Sequence, residues 1–221
     1  MIDNVLVISG GMGTGKSTVL NLFEKNGFII VNSDNEVSNL FKSEYSRYKN
    51  LAKDFDDWLG TDFVNKNEID KKILRPYLEK AENGFSKALH VVKPYISEKL
   101  NSLASEYSNQ KIVFEIPLLF EAGMEINYKN ILVVTAPLET RIERIKLRQP
   151  HLSEAQILQT INSQLNDEIK IKKATYVINN DSTLLKLEED FNRLLPEFLN
   201  IYSQKNKTIL KKDRKSTRLN S

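Results

Sequence analysis

Apolar residues along this chain gather in two kinds of pattern. The first is the short unbroken run. Residues 4–9 (NVLVIS) lead into glycines, and 28–31 (FIIV), 111–116 (KIVFEI), 130–135 (NILVVT) and 175–179 (TYVIN) repeat the form. Runs of this length without polar alternation predict strands buried on both faces. The second pattern recurs every three or four residues. Val19, Leu20 and Phe23 give residues 16–26 one apolar face, with Gly27 as the stop. Helical patterns also separate the later runs. Strands alternating with helices predict a parallel sheet with helices on both faces.

Between about 34 and 110 the strand signal disappears. Phe85, Leu89, Val92, Ile96, Leu100 and Leu103 recur at steps of four and three, an amphipathic helix whose stripe is expected to face the core. Pro94 lies inside it and is expected to bend it or divide it in two. A helical lobe is thus expected between the second and third strands. Ser153 and Gln156 form a capping box that opens a helix running to about Leu165. Arg148-Gln149-Pro150-His151 breaks the preceding helix, so residues 148–170 read as a helical hairpin able to swing as a lid. The expected organisation is a single domain over 1–212. Its core takes about 1–33, 111–147 and 171–205, its lobe about 34–110 and its lid about 148–170.

Composition narrows the classes. With 221 residues, 40% hydrophobic and 28% charged, the chain reads as one soluble globular domain. It has no cysteine, which removes disulfides, thiolate metal sites and cysteine nucleophiles. His90 and His151 are its only histidines and are too far apart for an HExxH site. The N-terminal aliphatic run is four residues long with no basic lead-in, and no stretch nears the roughly 20 apolar residues of a membrane helix. A cytoplasmic protein without membrane contact is expected, and a monomer. The last nine residues, Asp213 to Ser221 (DRKSTRLNS), are encodable by a common sequencing-library adapter read as coding DNA. They are expected to be non-native. That tail carries net +2 of the chain's +3, which leaves +1 and no sign of a broad nucleic-acid surface.

Candidate chemistry begins after the first strand. Gly10-Gly11-Met12-Gly13-Thr14-Gly15-Lys16-Ser17 fits G-x-x-x-x-G-K-[ST] in full, with a strand before it and a helix at its end. Glycines let the backbone wrap phosphate oxygens, and amides at a helix start favour an anion. Gly11, Gly13, Thr14, Gly15 and Lys16 are therefore expected to cradle a nucleoside triphosphate. In that loop Lys16 sets a charge on the β- and γ-phosphates, Ser17 offers a hydroxyl to Mg²⁺, and Thr18 offers a donor to the α-phosphate. A GTPase finds weaker support. Asp57-Trp58-Leu59-Gly60 and Asn65-Lys66-Asn67-Glu68 resemble its two other motifs. They lie in the helical region and too close together to serve phosphate and base from separate strands, so they read as solvated turns.

Asn32-Ser33-Asp34 follows the second strand, at the edge where open α/β sheets bind ligands. Asp34 there is either a helix N-cap or a carboxylate that takes or orients the proton of an attacking hydroxyl. Arg141 and Arg148, seven residues apart, share roughly one helix face. That face is either merely solvated or serves a phosphoryl group or an adenine ring, with Arg144 as a neighbour.

Four segments in order resemble dephospho-coenzyme A kinases. These are VLVISGGMGTGKSTV, VNSDNEVSNLF, VFEIPLLFEAG (similar to that family's DVPLLFE signature) and a later series of Arg141, Arg148, Gln164, Ala174, Val177-Ile178 and Asn180. The resemblance implies a P-loop NTPase-type three-layer α/β/α fold with about five parallel strands. It implies ATP-dependent phosphorylation of the ribose 3′-hydroxyl of dephospho-CoA, with Mg²⁺. It assigns Asp34 as base; Lys16 from the loop motif and Arg148, at the hinge of the lid, are the expected catalytic cations, and Arg141 is expected at the nucleotide. It also places Pro117, Leu118, Leu119, Phe120 and Arg75 beside the acceptor, and Glu115 near the metal or Lys16. The sequence departs from the family pattern at Asn32, Glu115, Lys93 and Thr175. Another small-molecule P-loop kinase, a nucleic-acid-stimulated ATPase and an inactive paralogue stand as alternatives.

Overall fold

The five apolar runs become five parallel strands: β1 (Ile2–Ser9), β2 (Ile29–Asn32), β3 (Ile112–Glu115), β4 (Tyr128–Thr135) and β5 (Tyr176–Asn179). A computed structural model describes residues 1–42, 47–63 and 71–219, apart from the side chains of Tyr48, Lys71 and 204–219. The strands lie in the order β2-β3-β1-β4-β5. β1 pairs with β3 on one side (Leu6 beside Val113) and β4 on the other (Leu6 beside Asn130). Near its start the β1–β4 register slips between Ile2 and Leu6, and the Asn130 amide donates to Asp3 O at 2.7 Å there. The order in which strands are added reverses beside β1, which opens a crevice at the C-terminal ends of β1 and β3.

Alternation along β1 divides the core. Leu6 and Ile8 face one side, with Phe23 of α1 (Lys16–Lys25) and Phe191 and Phe198 of α9 (Leu184–Leu219). Val5 and Val7 face the other, with the lobe helices. These are α2 (Ser33–Leu40), α3 (Tyr48–Leu59), α4 (Lys71–Lys80) and α5 (Gly84–Glu106). Helices on both faces of a parallel sheet make the expected three-layer architecture. Among the described residues the stretch from 33 to 106 contains no strand.

α5 departs from its expected form in two ways. It runs unbroken for 23 residues with Pro94 inside, so the expected division does not occur. Only the later half of its stripe is core. Ile96, Leu100 and Leu103 are buried, whereas Phe85 is 56% exposed and Leu89 and Val92 are half-buried. Asp57-Trp58-Leu59-Gly60 closes α3 in a left-handed turn at Gly60, the turn expected of it. Residues 65–68 lie outside the described residues.

β4 leads into α6 (Leu138–Arg148), and the segment expected to be a lid holds α7 (Glu154–Asn162) and most of α8 (Asp167–Lys173). The capping box at Ser153 and Gln156 forms as expected. Ile145 of α6 with Ile157 and Ile161 of α7 make a small separate core that also takes Met12 of the glycine loop. The helix α9 crosses back over the sheet. The Tyr202 hydroxyl accepts from Leu6 N–H at 3.1 Å and donates to Ile112 O, bridging β1 and β3 on the side away from the crevice. Residues 213–219 continue α9 in backbone, and 220–221 lie outside the described residues, so the expected non-native tail has no described side chain.

Candidate active site

The glycine loop is held from behind by neighbours that leave no room for side chains. A Cβ on Gly10 (φ +148°) would stand 2.2 Å from Val134 O, a backbone atom of β4. A Cβ on Gly15 (φ +90°) would stand 2.1 Å from Asn180 Nδ2. That amide is buried and donates to Thr14 O at 2.9 Å. Gly15 caps α1 with no side-chain hydrogen bond, so the first-turn amides of the helix are offered to an anion. The Thr14 hydroxyl donates to Gly11 O at 3.0 Å and is buried, so only its backbone can serve a ligand. Ser17 is exposed at the start of α1, and Thr18 half-buried beside it.

Lys16 turns back over the loop, donating to Gly10 O at 2.7 Å and Gly11 O at 3.0 Å. Burial pulls its pKa below the usual lysine value. Glu115 opposes that shift, while Lys170 and Arg141 add to it. Glu115 stands at the end of β3, in register with Asn32 of β2 and Ile8 of β1. The Asn32 amide donates to Glu115 Oε2 at 2.5 Å, and its Oδ1 accepts from Asn35 N–H as the N-cap of α2. The cap is therefore Asn32 and not Asp34. Burial raises the Glu115 carboxyl above its ordinary value, Lys16 and Asn32 oppose this, and Asp34 adds to it. One carboxylate thus feels both the phosphate-loop lysine and Asp34.

Asp34 is exposed in the first turn of α2 and lines a cleft with Val37, Leu89, Val92, Lys93, Ile96, Leu118 and Met124. The forward half of the α5 stripe is apolar because it forms this wall. Leu118 reaches the cleft and Pro117 is half-buried beside Ser9, whose hydroxyl donates to Pro117 O. Leu119 and Phe120, expected beside the acceptor, are core residues at 0% and 5% exposure. Arg75 is not brought to the cleft. It pairs with Glu79 one turn along the exposed face of α4.

The lid arginines divide differently from the expectation. Arg141 is 6% exposed. Its Nε donates to Met12 O at 2.7 Å and its Nη1 to Asp167 at 3.0 Å. Gln164 accepts from Met12 N–H at 2.9 Å, so Arg141 of α6 and Gln164 together hold both backbone groups of Met12. Arg141 thus buttresses the loop from below. Arg148 is exposed at the end of α6. Arg144, between them, donates weakly to Asn180 at 3.4 Å, and its buried Nη1 has no hydrogen-bond partner. Nη1 would lie 3.7 Å from a Cβ on Gly15, so Arg144 keeps a buried spare donor beside the phosphate loop, and Arg141 Nη2 also approaches the loop, where it would lie 2.3 Å from a Cβ on Gly11. The departures also have local work. Thr175 accepts from Ile131 N–H and donates to Lys129 O, tying β5 to β4, and Lys93 donates to Gly123 O at 2.9 Å.

Sequence spacing missed Glu121 and Lys170. Lys170 is completely buried and 2.9 Å from Glu121. Nothing marks it in a lysine-rich stretch whose neighbours Lys172 and Lys173 are exposed.

A strand, a glycine loop and a helix at the central crevice of a parallel sheet, with a lysine folded into the loop, define a P-loop phosphotransferase. An apolar cleft beside Asp34, lined by Val37, Leu89, Val92 and Leu118, adds a second concave surface next to the loop. The sequence carries this further. The chain belongs to the dephospho-CoA kinase family, whose model matches residues 4–186. It is 30% identical over 203 residues to a dephospho-CoA kinase of Helicobacter pylori, covering 90% of this chain and 100% of that protein. To one of Bacteroides fragilis it is 32% identical over 175 residues, 79% and 83% of the two chains. A solved structure from Thermus thermophilus has a TM-score of 0.68 at 29% identity, covering 87% of this chain and 96% of that one. The dephospho-CoA kinase structure from Campylobacter jejuni, at 24% identity and a TM-score of 0.62 over 88% and 96% of the chains, shares the fold.

Proposed function

We propose that this kinase transfers the γ-phosphoryl group of ATP to the ribose 3′-hydroxyl of dephospho-CoA, giving coenzyme A and ADP. The observation that supports the site assignment is the place of Glu115 at the end of β3, between β1, which leads to the loop of Lys16, and β2, which leads to Asp34. ATP lies along residues 10–18, its phosphates on the loop amides and Lys16. The acceptor lies in the cleft between α2 and α5, its organic arm against Leu89, Val92 and Ile96. Asp34 orients the 3′-hydroxyl and receives its proton as the new O–P bond forms and the bond to ADP breaks. Arg144, and Arg148 once the lid is down, spread the charge of the transferring group. Lid closure excludes water, which would otherwise take the phosphoryl group.

A divalent cation fits this site only in company with the nucleotide. Among the described residues no cluster of three acidic or histidine side chains could hold one alone. The Ser17 hydroxyl, with Glu115 acting through water, suits Mg²⁺, which keeps most of its waters and phosphate oxygens. When bound, such an ion offsets charge on the β- and γ-phosphates.

The test is incubation with ATP, Mg²⁺ and dephospho-CoA, followed by mass spectrometry, with AMP and adenosine as parallel acceptors. Gain of one phosphoryl group on dephospho-CoA alone is expected. Transfer to AMP or adenosine instead moves the reading to a nucleotide or nucleoside kinase.

A further inference from the structure

The segment after β3 has two faces. Ile116, Leu118, Ala122 and Met124 line the acceptor cleft. Glu121, among them, reaches the lid instead. Its Oε1 accepts from Leu165 N–H at 2.9 Å, in the turn between α7 and α8. The same oxygen stands 2.9 Å from Nζ of Lys170 on α8. Lys170 is 0% exposed and the Glu121 side chain 13%. The ion pair is too far off line to count as a hydrogen bond. Nζ and Glu121 Oε2 each have no hydrogen-bond partner among the described residues.

Burying an ammonium and a carboxylate costs several kcal/mol each, and apolar residues of similar volume often hold such a place as well or better. Packing of α8 on β4 therefore gives no reason for charges here. What the pair adds is direction. It fixes the carboxylate oxygen that the lid turn grips, so the cleft-lining segment and the lid turn share one anchor. Gln164, next to Leu165, holds the Met12 amide of the phosphate loop. Acceptor cleft, lid and phosphate loop are thus joined within a few residues.

We propose that the Glu121–Lys170 pair is a strut coupling occupation of the acceptor cleft to closure of the lid over the phosphate loop. Both are positioning residues, acting through Leu165 and Gln164. The coupling gives the enzyme its choice of alcohol over water, since the lid is drawn down only when an acceptor presses the segment at 116–124. The proposal rests on the kinase reading above.

The test measures how ATP turnover divides between coenzyme A formation and hydrolysis. It uses Lys170→Met and the charge-neutral double variant Glu121→Gln with Lys170→Met, which leaves no unpaired buried charge. In both, transfer kcat is expected to fall about tenfold with KM for ATP changed less than about twofold, and the hydrolysed fraction to rise about tenfold. An unchanged division in either folded variant overturns the strut. Amide exchange in the wild-type protein decides the matter if neither variant folds. Leu165 N–H is expected to exchange more slowly when dephospho-CoA joins a non-hydrolysable ATP analogue, and equal exchange overturns the proposal. Wild-type protein that makes no coenzyme A refutes the kinase reading instead, a result separate from either of these.

Discussion

Tyr202→Phe removes one oxygen and no volume from the core. The hydroxyl accepts from Leu6 N–H and donates to Ile112 O, and both residues are fully buried. In the variant the two backbone groups keep their places in the sheet and lose their partner. An unsatisfied buried polar group costs about 1–3 kcal/mol, so the pair should cost about 2–4 kcal/mol. For a domain of this size each kcal/mol moves Tm by about 2–4 °C, which predicts a fall of roughly 5–15 °C. Tyr95→Phe is the control. Its hydroxyl donates to Asp54 at 2.6 Å, a carboxylate open to water, so about 1 kcal/mol is expected there. The assay is thermal unfolding by circular dichroism, with coenzyme A formation measured well below Tm. Because Tyr202 lies on the side of the sheet away from the crevice, kcat and both KM values should stay within about twofold. A Tm within a degree of wild type would show that the bridge contributes nothing, and a changed KM would show that the sheet transmits the loss to the site.

Three other outcomes are expected. Asp34→Asn should lower kcat about a hundredfold or more with KM for ATP little changed, by initial-rate kinetics; full activity removes Asp34 from the base role. Gly15→Ala should cost more stability than Gly60→Ala, because both have positive φ but only Gly15 meets a neighbour, the buried Asn180 amide. Gly60→Ala pays only the left-handed backbone, about 1–2 kcal/mol, and equal losses in urea unfolding would refute the collision. Burial raises the Glu115 carboxyl, so the folded state holds that proton more tightly than the unfolded chain. The stability tied to the proton is present below the unfolded carboxyl's pKa and is lost as pH rises through the folded one. Glu115→Gln, which mimics the protonated form, should therefore gain in Tm on wild type as pH rises above the ordinary carboxyl pKa in chelator; a constant difference refutes the shift.

The sheet was legible because strands buried on both faces are written as unbroken apolar runs, and each of the five came within two residues of its observed limits. The phosphate loop was legible because its glycines answer to backbone geometry that no other residue meets. α5 was misread where one stripe serves two purposes. Leu100 and Leu103 are core while Leu89 and Val92 line a cleft, and periodicity cannot tell a wall from an interior. Leu119 and Phe120 show the converse, apolar residues assigned to a ligand that belong to the core. Arg141 and Arg144 lie one turn apart, and only tertiary contacts show that the first is tied to Met12 and Asp167 while the second keeps a donor for the loop.

The order of the sheet also bears on how the chain is made. β1 emerges from the ribosome first, yet its partners are β3, about a hundred residues later, and β4 beyond that. At about 5–20 residues per second the central strand of the sheet waits roughly 5–20 s without a ladder. α1 can cover one face of it, but β2 cannot pair with it, since β2 joins the sheet only through β3. The nascent chain therefore carries an exposed strand through synthesis of the whole helical lobe, a window in which a chaperone would find it and β-pairing between neighbouring chains would compete.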